Sequence, residues 1–198
     1  MRPDITPEHV DQFNSLSKAK GFLGREFLTW LWYTAETTRE SLSLTIKGKV
    51  VHFDLWVDDR VVLESGGGIA QQSVMKGGDP SQSHEAGAAL VTGKTVRELK
   101  IGLNVKDVGE FTSILHADEL SPRSLKLPSP AGGAATSADE LPIATRIRHM
   151  DAFLDLLDGL FARFMDTRTS DEWEKTVLND IRVWIKKRQK TGESATLH

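Results

Sequence analysis

The stretches SLSLTI (residues 41–46), VVHFDLWV (50–57) and RVVLES (60–65) decide the fold class of this chain. Apolar and polar residues alternate in each of them, which is the pattern of a half-buried β-strand. KGK at 47–49 and DD at 58–59 separate the three stretches with residue types that favour turns. The pattern therefore predicts three consecutive antiparallel strands in a meander.

Helical periodicity is found on both sides of this meander. FLGREFLTWLWYTAE, from Phe22, spaces its large apolar residues for one buried helical face, and a shorter helix is predicted from Thr6 to Lys20. Two C-terminal helices are predicted on either side of the capping residues Thr169 to Glu172. Their apolar stripes need a partner, so we expect them to form a hairpin. The stripes consist of Ile143, Ile147, Met150, Leu154, Leu157, Phe161 and Phe164, then Trp173, Val177, Ile181 and Trp184.

More strands and one short helix are predicted in the middle of the chain. QQSVMKG at 71–77 extends the meander, and TVRELKIGLNV at 95–105 forms a hairpin with EFTSILH at 110–116. Asp79, followed by proline, predicts the start of a helix that runs to about Val91. The predicted fold class is α+β: an antiparallel sheet of meander and hairpins with packed helices, followed by a C-terminal αα-hairpin.

Composition indicates how the chain is divided. The stretch PSPAGGAATSADELP, after Leu127, is rich in Pro, Gly and Ala and has little to bury, which indicates a linker. The predicted parts are an α+β domain with N-terminal helices at 1–127, the linker at 128–141, the helical hairpin at 142–190 and a disordered tail at 191–198.

The overall composition excludes several classes of protein. Apolar residues make up 39% of the 198 residues and charged residues 27%, so a folded globular chain is expected. The absence of cysteine excludes disulfides, thiol catalysis and cysteine-ligated metal sites. The first residues are charged and carry no apolar run of signal-peptide length, so we expect a cytoplasmic protein. The net charge of −3 is not the basic signature of many nucleic-acid binders, so any DNA contact must come from local patches.

The sequence contains no convincing catalytic or metal motif. GAALVTGKT, at 87–95, has five residues between its glycines instead of the four of a P-loop, and it follows a predicted helix where a P-loop would follow a strand. The six histidines lack the spacing of a zinc motif. We therefore expect a protein that is not an enzyme and that uses no metal and no cofactor.

Several segments, read in order, resemble the C-terminal region of the RdgC family of recombination-associated proteins. They are FLTWLW at 27–32, KGGDPSQSHEA at 76–86, GKTVRELKIGLNV at 93–105, EFTSILHADEL at 110–120 and LKLP at 125–128. The tract GREFLTWLWY is similar to longer, divergent members of the family. The resemblance covers residues 21–128, and no single motif within it is diagnostic.

The resemblance implies sequence-independent binding of double-stranded DNA, modulation of recombination and a location at the nucleoid. The family forms a head-to-tail ring dimer around the duplex, but 20 residues precede Gly21, so the family's N-terminal part is not matched and ring closure is not expected. If DNA contact is retained, it is expected at Lys94, in the family-like Gly-Lys turn, and at Lys76, with Arg97 and Lys100 in support. Their role would be salt-dependent phosphate neutralisation without base readout.

A second hypothesis assigns the chain to protein–protein interaction. In this case the RdgC-like scaffold does not bind DNA, and the C-terminal helices form a homo-oligomer or bind a partner protein. The hypothesis predicts an exposed apolar stripe through Leu154, Leu157 and Phe161, because apolar stripes of this kind need a partner. The two hypotheses differ in what they require of the basic residues: convergence on one surface for DNA binding, or interspersed acidic residues for protein interaction.

Overall fold

The structure is a computed structural model, and it describes residues 22–38, 40–65, 72–77, 83–129 and 141–193. The predicted N-terminal helix from Thr6 to Lys20 lies outside these residues. The same is true of 130–140, within the predicted linker, and of 194–198, within the predicted tail.

The described part is α+β, as predicted, with a six-stranded antiparallel sheet and four helices. Its elements are α1 (Phe22–Thr37), β1 (Leu42–Ile46), β2 (Lys49–Glu64), β3 (Gln72–Lys76), α2 (His84–Val91), β4 (Thr95–Val105), β5 (Gly109–His116), β6 (Pro122–Lys126), α3 (Ile143–Thr169), a π-helical turn (Trp173–Val177) and α4 (Leu178–Glu193).

The sheet is built around β2. Its strand order is β1-β2-β4-β5-β6, and β3 pairs with the second half of β2 on the side where β1 pairs with the first half. The hairpin predicted between β4 and β5 is confirmed, with its turn at Asp107 in the left-handed region at φ 65°. Strand β6 was not predicted, because its sequence PRSLK lacks an alternating pattern.

The turn predicted at Asp58 and Asp59 is wrong. Strand β2 is continuous from Lys49 to Glu64, and two extra residues between Val57 and Val61 form a bulge against β4. Both halves of β2 pair with the same strand, so the chain bends without reversing. A sequence pattern does not distinguish this bulge from a turn, because acidic residues suit both.

The start predicted for α2, at Asp79, lies outside the described residues. The helix begins at His84 because Ser83 is the N-cap: its hydroxyl accepts a hydrogen bond from the Ala86 amide at 3.3 Å. The predicted end near Val91 is confirmed, and Gly93 follows it at φ 86°, a conformation that favours glycine.

The helices form a layer over one face of the sheet and share one hydrophobic core with it: α1, α2 and α3 contact the strands, and α4 packs on α1 and α2. The buried face predicted for α1 is confirmed, since Phe27, Leu28, Leu31 and Trp32 are almost fully buried. Alternate residues of β4, from Leu99 to Val105, face these helices. Within the described residues the other face of the sheet carries no helix, and we call it the open face.

The two C-terminal helices are confirmed, but they contribute to the core of the sheet domain. Helix α3 packs on β1 and α1, whereas α4 packs mainly on α2 instead of running along α3 as a simple hairpin would. Phe153, Phe164 and Trp184 are buried in the same cluster as α1 and the sheet. None of the described helices is long and apolar enough to span a membrane.

Candidate functional site

Arg97, one of the predicted DNA-contacting residues, is bound to an acidic residue. The pairing of β4 with β2 shifts between Val96 and Glu98, so Arg97 sits at a bulge. Its guanidinium donates a hydrogen bond to Glu64 Oε1 at 2.6 Å, and the same carboxylate binds Arg25 of α1 through Oε2, also at 2.6 Å. The Arg97 guanidinium is therefore held in an ion pair within the fold.

Lys100 is neutralised in a similar way. Its amino group lies 2.8 Å from Asp58 Oδ2 and 2.8 Å from Asp59 Oδ1, the two residues of the β2 bulge. The hydrogen bonds to Asp58 and Asp59 raise the pKa of Lys100 above its ordinary value. The charge of Lys100 is thus fixed on the open face next to two negative charges.

Lys76 and Lys94 lie on different sides of strand β3. Lys94 Nζ donates a hydrogen bond to Ser73 Oγ at 2.7 Å, while Lys76 is exposed three residues further along β3. Side chains alternate between faces in a strand, so Ser73 and Lys76 point to opposite faces. The four basic residues therefore do not converge on one surface.

Acidic residues are interspersed with the basic ones on the open face. Arg60 donates two hydrogen bonds to Glu98 Oε2, at 3.1 and 2.7 Å, and the buried ring of His116 lies on the other side of Glu98, with Nε2 3.9 Å from Oε1. Trp56 covers the backbone beside this network, since a Cβ added to Gly102 would lie 2.0 Å from its ring. The arrangement neutralises charge instead of concentrating positive charge.

The stripe expected through Leu154, Leu157 and Phe161 is partly covered. Leu157 is 7% exposed, and the Phe161 ring packs edge-on against Phe27 of α1, with the ring centroids 5.2 Å apart. Leu154 is exposed at 42%. The expected exposure is therefore wrong for Leu157 and holds for Leu154, while Phe161 is partly buried against α1.

The N-terminal half of the same stripe remains on the surface. Ile143, Ile147, Met150 and Leu154 are 74%, 52%, 46% and 42% exposed, and we call them the exposed row. Their spacing of four, three and four residues places all of them on one side of α3. The helical spacing placed these residues in the stripe but did not distinguish the covered half from the exposed half.

The exposed row is separate from the face by which α3 packs on the sheet. In this part of the helix His149 and Phe153 make that contact, and both rings lie against Phe111 of β5. At 100° per residue, the exposed row lies roughly a quarter-turn around the helix from these two residues. The helix is therefore anchored on one face while the row stays accessible on another.

Comparison with protein-family models, with curated proteins and with solved structures finds no match in any of the three. The RdgC resemblance stays a prediction from the sequence.

Proposed function

We propose that this chain is a non-catalytic protein-interaction module that self-associates through the exposed row of α3. The observation that supports the proposal is the row itself: four large apolar side chains at helical spacing, each more than two-fifths exposed. Continuous apolar surface of a few hundred Å² on a soluble protein usually marks an interaction site.

A second copy of the chain fits this row because the spacing of the row is symmetrical. Its intervals read four, three, four in either direction along α3. In an antiparallel pair of α3 helices related by a two-fold axis, Ile143 lies opposite Leu154 and Ile147 opposite Met150. Such a pair buries all four side chains of each copy in one self-complementary interface.

The area of the row indicates the strength of this association. A stable, specific interface buries about 1,200–2,000 Å² in total, counting both partners. Four side chains from each copy are far fewer than the roughly 20–30 residues a side of such an interface, which is typical of weak or transient complexes. We therefore expect a reversible dimer with a dissociation constant in the micromolar range or weaker.

Sedimentation velocity across protein concentrations tests the proposal. The wild-type chain is expected to shift from monomer to dimer, and Ile147→Glu is expected to remain a monomer. Glu forms helix readily and is favourable near a helix N-terminus, so this variant should keep the fold. Val50→Glu is the matched control, because Val50 is 63% exposed and points to the opposite face of β2 from the core residue Phe53.

The sedimentation results distinguish a second copy of the chain from the residues before Gly21 as the partner of the exposed row. A wild-type monomer at all concentrations, or a dimer that Ile147→Glu leaves intact, would overturn self-association through α3. If a truncated chain that starts at Gly21 dimerises while the wild-type chain does not, the preceding residues occupy the row instead.

DNA binding, implied by the resemblance, has less support from the charges described above. Its measurement is fluorescence anisotropy of a mixed-sequence duplex of about 30 base pairs at low and near-physiological salt, with Lys94→Glu for comparison. Phosphate-driven affinity must fall steeply as salt rises. We expect weak binding or none, because Arg97 and Lys100 already have acidic partners.

A further inference from the structure

A small pocket opens where α1, the start of β4 and the π-helical turn meet. Its volume is about 240 Å³. Arg25, Glu26, Thr29 and Thr95 form its polar side, and its apolar side consists of Trp173, Leu178 and Ile181. A pocket that combines an apolar wall with a few polar groups is the usual form of a small-molecule site.

The apolar wall depends on an irregular helix geometry. The Leu178 amide donates to the Trp173 carbonyl, a bond of the i to i+5 type that defines the π-helical turn. Single π-turns are uncommon and occur frequently at functional sites. Here the two residues that the bond connects both line the pocket.

The ion pair that Arg25 makes beside the pocket belongs to a cluster with more guanidinium groups than carboxylates. Arg25 donates to Thr95 Oγ1 at 3.1 Å and to Glu64 at 2.6 Å, and Arg97 also binds Glu64. With Gln72, which donates to Glu64 at 3.3 Å, these residues form what we call the Glu64 cluster. One carboxylate balances two guanidinium groups, so the cluster has one surplus positive charge.

The hydrogen bonds of the Glu64 cluster do not satisfy both guanidinium groups. The Nε atoms of Arg25 and Arg97 are buried and have no hydrogen-bond partner among the described residues. Surplus charge at a partly buried position is costly unless an anion balances it. This cost favours an anionic group in the adjoining pocket.

The acidic residue beside the pocket does not cancel this surplus. Glu26 also lines the pocket, but Arg168 Nε binds its carboxylate at 2.8 Å. The Arg168 guanidinium lies 5.2 Å from the centre of the Trp173 ring, so the pair extends along the apolar wall. The ion pairs around the pocket thus join three guanidinium groups to two carboxylates.

We propose that this pocket binds a small organic monocarboxylate with a compact apolar body. The carboxylate group lies at Arg25 and Thr95, where charge-assisted hydrogen bonds to a guanidinium are strong. The apolar body lies against Trp173, Leu178 and Ile181. The volume corresponds to about eight water-sized groups, which suits a single ring bearing one carboxylate.

Titration of the ¹⁵N-labelled full chain with benzoate, monitored by NMR, tests the proposal. We expect shifts concentrated at the Trp173 indole and at residues around Thr95, with a dissociation constant of about 1 mM or tighter for a ligand of this size. Benzamide has the same shape without the charge, and it is expected to bind at least about tenfold more weakly. Equal binding of the two compounds, or no shifts at the pocket with 10 mM benzoate (about ten times the expected constant), would overturn the proposal.

Variants test the two sides of the pocket separately. Arg25→Gln removes the charge and should weaken benzoate binding by about tenfold or more, while Leu178→Trp fills the pocket and should abolish binding. Arg123→Gln is the matched control, since it removes a guanidinium from an exposed ion pair with Glu119. If Arg25→Gln proves unfolded, Leu178→Trp is the deciding variant. Benzoate binding that is retained in Leu178→Trp would exclude the pocket as the binding site.

Discussion

Glu36 and Glu64 are two of the carboxylates that bind arginine in this protein, and their surroundings differ. Glu36 of α1 binds Arg188 of α4 and accepts hydrogen bonds from the indole nitrogens of Trp32, at 2.5 Å, and Trp184, at 2.9 Å. The Arg188 guanidinium also lies over both indole rings, 4.6 and 5.2 Å from their centres. These four residues form what we call the Glu36 cluster. In the Glu64 cluster, one carboxylate is shared by two arginines beside a pocket.

The two clusters have different charge balances, which indicates different roles for their ion pairs. In the Glu36 cluster the charges match one to one, and aromatic rings replace water around them. It fastens α4 to α1 across 152 residues of sequence. The Glu64 cluster holds the end of the sheet against α1, but its surplus charge is suited to an external anion.

The largest expected effect follows from breaking the Glu36 cluster. Arg188→Gln leaves Glu36 without its charged partner and removes the guanidinium from between Trp32 and Trp184. We expect the free energy of unfolding to fall by about 3–5 kcal/mol, as for other buried ion pairs with one partner removed. Urea denaturation measures this change, and a loss below about 1 kcal/mol would show that the cluster does not hold α4 in place.

A smaller and pH-dependent effect is expected for Glu64→Gln. Burial raises the pKa of Glu64, but the hydrogen bond from Gln72 and the charges of Arg97 and Arg25 outweigh it, leaving the pKa below its ordinary value. The substitution should cost about 2–3 kcal/mol at pH 7, because two guanidinium groups then face each other unbalanced.

The sign of the pH dependence follows from the lowered pKa. Ionised Glu64 stabilises the folded state at pH values above its unfolded pKa, about 4.3, and this stabilisation is lost as the pH falls through the folded value. The stability difference between wild type and Glu64→Gln should therefore be constant from pH 7 to about 5 and shrink in acid. A stability difference between the two proteins that grows below pH 4, near the ordinary glutamate pKa, would show that ionised Glu64 does not stabilise the fold.

The smallest effect is expected for Arg97→Gln, the substitution that matches Arg188→Gln in the other cluster. Arg25 still pairs with Glu64, and the surplus charge is gone. We expect a change within about 1 kcal/mol of wild type, since Arg97 is a partly exposed partner whose loss leaves no unpaired carboxylate. Thermal unfolding of both variants under one buffer condition makes the comparison, and equal losses would mean that the two clusters play the same role.

Local pattern alone determined much of this fold. The alternation in 95–105 and 110–116 predicted the β4–β5 hairpin, and the spacing of Phe27, Leu28 and Leu31 predicted the buried face of α1. These predictions hold because side-chain period and turn chemistry act between neighbouring residues. The prediction of a strand break at Asp58 was wrong, because the pairing of both halves of β2 with β4 outweighed the local turn preference.

Burial and ion pairing between residues far apart in the chain depended on the tertiary structure. The sequence identified the apolar stripe of α3, but which half is covered depends on where α1 packs. It identified Arg97 and Lys100 as basic, but their acidic partners are set by the bulges in β2 and β4. Glu36 and Arg188 meet because α1 and α4 pack together, and burial and charge pairing of this kind arise from the assembled fold and not from any local pattern.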